Sequence, residues 1–101
     1  MVNSTTKRPV KWILIGDKIR MSHTLYHRHL LNRNETTCDG GGVVDVDYNN
    51  RRVIFSGSSD DFGKANKNQF MKTVEKYRDE IDRDLFFCFY IDTEGFDIVF
   101  M

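Results

Sequence analysis

The residues with the clearest chemical potential form one polar stretch, SGSSDDFG at positions 56–63. It follows a run typical of a strand, residues 51–55, and precedes a segment typical of a helix, from Asn66 onward. Glycines at such a junction let successive backbone N–H groups converge on one point, which suits an anion. Clusters of glycine, serine and aspartate are also common in ordinary surface turns, so this stretch alone leaves both interpretations open.

The histidines are the second candidate group, because all three fall within seven residues. His23 and His27 are four apart, which is the spacing of metal ligands on a helix. The sequence has no HExxH motif, and Cys38 is the only soft ligand nearby, so a structural zinc site would lack an identifiable fourth ligand. Surface or half-buried histidines are the preferred interpretation, and no metal or other cofactor is expected.

Glycines and aspartates between residues 38 and 49 form two further patterns. Cys38 and Asp39 precede three consecutive glycines, which permit a close approach of the backbone to another segment or a ligand, or else form a flexible loop. Asp45, Asp47 and Asn49 have the spacing of the first ligands of a calcium loop, but the glycine and glutamate that complete such a loop are missing. We therefore expect these aspartates to alternate along a strand and to face water.

Length and composition restrict the class of protein. With 101 residues, 40% hydrophobic and 30% charged, the chain suits one globular domain with one core. A formal net charge of zero argues against a dedicated nucleic-acid-binding protein. The sequence shows no membrane span, no signal segment and only two cysteines, so we expect a cytoplasmic protein with free thiols and no membrane partner.

Hydrophobic periodicity predicts an α+β fold: a mixed, mostly antiparallel sheet of about six strands flanked by two helices, in one domain over residues 10–101. A flexible N-terminal arm is expected over residues 1–9. The connection through the long helix is the one that could make a strand pair parallel. The predicted strands are residues 10–15, 18–21, 43–48, 51–55, 85–91 and 96–101. The predicted helices are a short one in the second half of 22–31 and a long one over 67–81, opened by a capping box of Asn66 and Gln69.

The two glycine motifs together resemble those of the small protein-histidine phosphatase family (Janus/Ocnus). That family carries Cys-x-Gly-Gly-Gly, then a strand hairpin, then Gly-x-Ser-x-x-(Tyr/Phe)-Gly. This chain has CDGGG at residues 38–42 and GSSDDFG at residues 57–63. The resemblance covers residues 11–63 and continues more weakly to Leu85. The segments between the first strand and the glycines look shorter than in the family, and the strand after Gly95 has no clear counterpart.

Two single residues extend the resemblance. Tyr26-His27 matches a Tyr-His pair in which the family's histidine is catalytic, and Lys11 matches a lysine that binds the phosphoryl group. The resemblance implies a metal-independent phosphatase that hydrolyses the N–P bond of phosphohistidine, on a protein or in a small phosphoramidate. His27 would act as the nucleophile or as the base for the attacking water. Considered alone, Lys11 is better explained as a lysine that snorkels at a strand end.

The resemblance also implies a substrate-binding loop. The N–H groups of Ser59, Asp60 and Asp61 would hold the phosphoryl oxygens, together with the Ser59 hydroxyl and Lys11. The family has uncharged residues where this chain has Asp60 and Asp61. A carboxylate at about 4 Å from a phosphate costs on the order of 1 to 4 kcal/mol per charge pair. Phosphate binding therefore requires that these side chains point away, or that a cation such as Arg28 pairs with them; Lys64 is another candidate.

A different role follows if neither condition is met. The alternative is a non-catalytic domain on the same fold, which binds a protein partner through its cleft or through an edge strand. A monomer or a weak dimer is consistent with either role. No nucleic-acid partner is expected in either case.

Overall fold

A computed structural model describes residues 9–101 of the chain. The predicted N-terminal arm, residues 1–9, lies outside the described residues except for Pro9. Within the described range the chain forms one five-stranded sheet, one α-helix and one 3₁₀ turn. The elements are β1 (Val10–Ile15), β2 (Lys18–His23), the 3₁₀ turn (His27–Leu30), β3 (Gly40–Asp47), β4 (Arg52–Ser56), α1 (Lys67–Phe89) and β5 (Asp97–Phe100).

The sheet is mixed, as predicted, with the strand order β2-β1-β3-β4-β5. Strands β1 and β2, β1 and β3, and β3 and β4 pair antiparallel. Strand β5 pairs parallel with β4, and α1 forms the connection between them. A helix in the crossover lets two consecutive strands run in the same direction, which a tight hairpin cannot do.

The predicted sixth strand, residues 85–91, is wrong, because α1 continues through this segment to Phe89. Leu85 is fully buried and lies four residues after buried Ile81, so it extends the helical face. A short apolar run does not by itself distinguish a strand from a buried part of a helix. The helix ends where Tyr90 adopts a left-handed conformation with φ 57°.

The second predicted helix is a single 3₁₀ turn, so only one α-helix flanks the sheet. Within α1, Asn66 caps the first turn by accepting a hydrogen bond from the N–H of Gln69 at 3.0 Å. The Gln69 side chain does not reach back to complete a capping box. It donates instead to the carbonyl of Gly16 at 2.9 Å and to Asp39 at 3.0 Å, which fixes the start of the helix to the β1–β2 turn.

The hydrophobic core lies between α1 and one face of the sheet. Trp12 packs edge-to-face against Phe55 and Phe70, with ring centroids 5.5 and 5.1 Å apart. Neighbouring residues of a strand point to opposite faces, so Ile13 faces away from α1. Ile13 is fully buried all the same, and it lies close to the 3₁₀ turn on that second face.

Candidate functional site

The three glycines at residues 40–42 form the start of β3 and let other segments approach it. A Cβ atom at Gly40 would overlap the backbone of Ala65, and one at Gly41 would overlap the carbonyl of Trp12. A Cβ atom at Gly42 would overlap the carbonyl of Ser56. The glycines therefore serve the close packing of backbone, which is one of the two roles that the sequence left open, and they are not a flexible loop.

His27 lies against this glycine segment with only 7% of its surface exposed. Its Nε2 lies 2.8 Å from the carbonyl of Gly42. A carbonyl accepts and cannot donate, so Nε2 carries the hydrogen and the lone pair of the neutral ring is on Nδ1. A Cβ at Gly41 would come within 3.0 Å of the His27 ring, so this glycine leaves space for the imidazole.

The predicted phosphate loop is closed on itself by hydrogen bonds. The N–H of Ser59 donates to the carbonyl of Gly63 at 3.1 Å, and the N–H of Gly63 donates back at 2.8 Å. The Ser59 hydroxyl accepts from the N–H groups of Asp61 and Phe62, each at 3.2 Å. Gly41 donates its N–H to the same carbonyl of Gly63 at 3.1 Å, which attaches the loop to β3.

These bonds engage the N–H groups of Ser59 and Asp61, two of the three that the resemblance assigns to phosphate. The N–H of Asp60 makes no hydrogen bond within residues 9–101. Ser59 is only 4% exposed, and its hydroxyl group stabilises the loop through these hydrogen bonds.

Four of the predicted site residues line one cleft with a volume of about 340 Å³: Lys11, His27, Asp60 and Asp61. The cleft lies on the sheet face opposite α1, between the 3₁₀ turn and the loop. Lys11 of β1 is directly paired with Val43 of β3, which places both in its floor. The other lining residues are Leu25, Tyr26, Arg28, Val43 and Ser58.

Ser58 is the lining residue that sequence reasoning missed, since the motif pointed to Ser59. Both serines follow β4 and lie outside the regular strands, so the alternation of side chains along a strand does not assign one of them to the cleft. The sequence carries no signal that decides which of the two is exposed. The structure buries Ser59 and leaves Ser58 at the cleft.

The two aspartates have different surroundings. The Asp61 carboxylate lies 3.9 Å from Nη1 of Arg28, which is one of the two cations that the sequence proposed as its partner. Both side chains of this pair are well exposed, at 55% for Arg28 and 40% for Asp61. Asp60 is exposed and forms no ion pair within residues 9–101.

The three histidines have separate partners. Nε2 of His23 lies 3.0 Å from the carbonyl of Cys88, and Nδ1 of His29 lies 3.2 Å from the hydroxyl of Thr24. His27 faces the glycine segment instead. In the part of the chain that the structure describes, no group of three or more histidine, cysteine, aspartate or glutamate side chains is arranged to hold a metal ion.

The two cysteines are free and half-buried. The Cys38 thiol lies 3.7 Å from the carbonyl of Gly40, and burial raises its pKa. Burial likewise raises the pKa of the Cys88 thiol. A raised pKa lowers the thiolate fraction at neutral pH, so neither cysteine is arranged as a nucleophile.

No helix within residues 9–101 has both the length and the apolar character needed to cross a lipid bilayer. Comparison with protein-family models, with curated proteins and with solved structures gives no significant match for this chain.

Proposed function

We propose that this protein is a metal-independent phosphatase that hydrolyses the N–P bond of phosphohistidine, or of a related phosphoramidate, with His27 as the reacting group. The observation that carries the proposal is the state of His27. One ring nitrogen is held by a backbone carbonyl, and the ring lines a cleft together with the cations Lys11 and Arg28. A histidine oriented through one nitrogen keeps the other for proton transfer or nucleophilic attack.

The proposed reaction is a hydrolysis at phosphorus. In one form, Nδ1 of His27 takes a proton from water, and the oxygen of that water attacks the phosphorus. The N–P bond breaks, its electron pair goes to the leaving imidazole nitrogen, and a proton neutralises that nitrogen. In the second form, Nδ1 attacks the phosphorus directly, the substrate's N–P bond breaks, and its electron pair goes to the leaving imidazole nitrogen, which takes up a proton. Water then attacks the phosphorus, cleaves the new bond to Nδ1 and releases phosphate from His27. Both forms end in phosphate and a free imidazole.

The cations supply the electrostatic part of the proposal. Charge on the phosphoryl oxygens is best stabilised by donors that are in place before the reaction. Lys11 is held on β1, an interior strand of the sheet, and its side chain forms no ion pair or hydrogen bond within residues 9–101. Its ammonium is therefore available to a phosphoryl group. In this proposal Asp60 and Asp61 line the cleft and face the substrate.

The substrate in this proposal is a phosphohistidine-bearing protein or a small phosphoramidate. The exposed aromatic ring of Tyr26, 46% accessible at the cleft, offers a surface for the substrate's imidazole. The free thiols of Cys38 and Cys88 fit a reducing compartment, so we place the proposed activity in the cytoplasm.

The test is phosphate release from a phosphohistidine peptide in the presence of a chelator. We expect the wild-type protein to exceed the spontaneous rate and His27→Asn to lose at least about a hundredfold, the usual contribution of a general base. His29→Asn is the matched control, because His29 is exposed and does not line the cleft. Equal rates for wild type and His27→Asn would overturn the proposal.

A second candidate is the non-catalytic binding domain. Strand β5 lies at the edge of the sheet, and an unpaired edge can accept a strand from a partner. Phe87 and Tyr90, 65% and 77% exposed, add apolar surface near the end of α1. The N–H groups of Asp97 and Met101 donate to β4, so the alternate residue Ile98 directs its N–H to the open edge. This candidate is favoured if the wild-type protein has no turnover but captures a partner that Ile98→Pro prevents from binding.

A further inference from the structure

The guanidinium of Arg28 makes no hydrogen bond within residues 9–101. Its guanidinium makes two contacts, one with the ring of Tyr26 and one with the carboxylate of Asp61. At 3.9 Å the second contact is an ion pair that is too long for a hydrogen bond. All five N–H groups of Arg28 are therefore without a hydrogen-bond acceptor within residues 9–101.

The position of this guanidinium is nevertheless defined. Its Cζ atom lies 4.1 Å from the centroid of the Tyr26 ring, which is a cation–π distance. Arg28 follows His27 in the 3₁₀ turn, and both residues line the same cleft. A positioned arginine with free donors is the group that proteins use to bind phosphate through two parallel hydrogen bonds.

The loop of residues 57–63 does not itself supply the main donors for a phosphate. The N–H groups of Ser59 and Asp61 already donate within the loop, so they are not free for an anion. The donors that remain among the lining residues include the hydroxyl groups of Tyr26 and Ser58, the N–H of Asp60, the ammonium of Lys11 and the guanidinium of Arg28. Of these, only the guanidinium presents a planar fork.

We infer that Arg28 is the principal phosphate-binding residue of this cleft, and that Asp61 is its resting partner, with which a phosphoryl group competes. The inference rests on the proposed function, because it concerns the same cleft. Two parallel hydrogen bonds need two unsubstituted oxygens on one phosphorus, and the terminal phosphoryl group of the proposed substrate presents them, so the ligand class is a phosphoryl group. The exposed pair with Asp61 is weak, which makes it easy for such a ligand to displace.

The experiment measures the dissociation constant of inorganic phosphate by calorimetry for the wild type and four variants. Arg28→Ala is expected to weaken binding at least roughly tenfold, because it removes two charge-assisted hydrogen bonds. Arg28→Lys is expected to recover part of this loss. Asp61→Asn is expected to tighten binding by up to about fivefold, since a competing exposed ion pair is removed. Arg33→Ala, at an exposed arginine outside the cleft, is the matched control and should bind like the wild type.

The outcomes separate this inference from the proposed function when turnover is measured on the same proteins. If Arg28→Ala binds phosphate like the wild type while His27-dependent turnover persists, the inference is overturned and the phosphatase stands. If affinity follows Arg28 and Asp61 but no variant has turnover, Arg28 is supported as the anion-binding residue and the phosphatase fails. A wild-type protein that binds no phosphate overturns the inference, and it overturns the phosphatase as well if it also has no turnover.

Discussion

Two arginine–aspartate pairs of this chain use the same chemical groups in opposite ways. Arg78 donates from Nε to both carboxylate oxygens of Asp82, at 3.0 and 3.1 Å, and from Nη2 to the carbonyls of Thr93 and Phe96, each at 2.9 Å. Fully buried Thr93 donates its hydroxyl to the same aspartate at 2.6 Å. Arg28 and Asp61, by contrast, face each other at 3.9 Å without a hydrogen bond.

The difference separates a structural pair from a pair available to a ligand. The Nε and Nη2 donors of Arg78 are occupied, and they connect α1 to the segment that leads into β5. The guanidinium N–H groups of Arg28 make no hydrogen bond within residues 9–101, and they lie at the rim of a cleft that contains a histidine. A charged group that makes several hydrogen bonds inside the protein stabilises the fold, whereas one with unused donors is available to bind a ligand.

The largest expected effect comes from breaking the structural pair. Arg78→Met removes hydrogen bonds to a carboxylate and to two carbonyls, so we expect the free energy of unfolding to fall by about 2 to 3 kcal/mol. The matched variant Arg28→Met removes an exposed ion pair and a cation–π contact, and should cost less than about 1 kcal/mol. Urea denaturation of both variants checks the comparison, and equal losses would contradict it.

A smaller loss, with a specific effect on the site, is expected from Gly41→Ala. The added methyl group would overlap the carbonyl of Trp12 and press on the ring of His27, so we expect a loss of about 1 to 3 kcal/mol and weakened activity. Gly16→Ala is the control: it introduces a side chain at φ 59° in a turn where no atom lies within 4 Å of the new Cβ. It should reduce stability through backbone strain and leave phosphate release unchanged. Full activity in Gly41→Ala would show that the packing of His27 does not depend on this glycine.

The smallest expected effect concerns a third ion pair, Arg20 with Glu35. Hydrogen bonds from the Arg20 guanidinium and from the N–H of Asn32 lower the pKa of Glu35 from 4.5 to about 2. A lowered pKa in the folded state means that the stabilisation is present above about pH 4.5 and is lost as the pH falls towards 2. The wild type should therefore be more stable than Glu35→Gln at neutral pH, and this difference should close over that range. Urea denaturation from pH 2 to pH 7 measures it, and a difference that does not change with pH would contradict the assignment.

The antiparallel half of the fold could be predicted from the sequence, because its signals are local. Alternating apolar residues and turn dipeptides predicted the β1–β2 and β3–β4 hairpins, which the structure confirms. The falsely predicted strand lies in the second half of the chain, where Leu85–Phe89 is an apolar run without a clear period. Only packing on the sheet shows that Leu85 continues the helical face begun by Phe70. Since this segment is helical, α1 connects β4 directly to β5, and these two strands pair parallel. The sequence had indicated that the connection through the long helix could make a strand pair parallel.

The candidate site could be predicted from the sequence only in part. The pattern of residues suggested an anion-binding turn, and the family resemblance added His27 and Lys11 from distant parts of the chain. The structure brings these two into one cleft with Asp60 and Asp61. The hydrogen bonds within the loop were not predictable, because they depend on Gly63 returning to Ser59. The availability of Arg28 also depends on three-dimensional geometry.

The most direct test of the central claim is a phosphate titration followed through the imidazole resonances of the three histidines by NMR. We expect saturable changes in the chemical shifts of His27, whose ring lines the cleft. The resonances of His23 and His29 should stay unchanged and serve as internal references. The same titration of Arg28→Ala should saturate at a higher phosphate concentration. Shifts of equal size at all three histidines, or no shift at His27, would show that the phosphoryl group does not bind in this cleft.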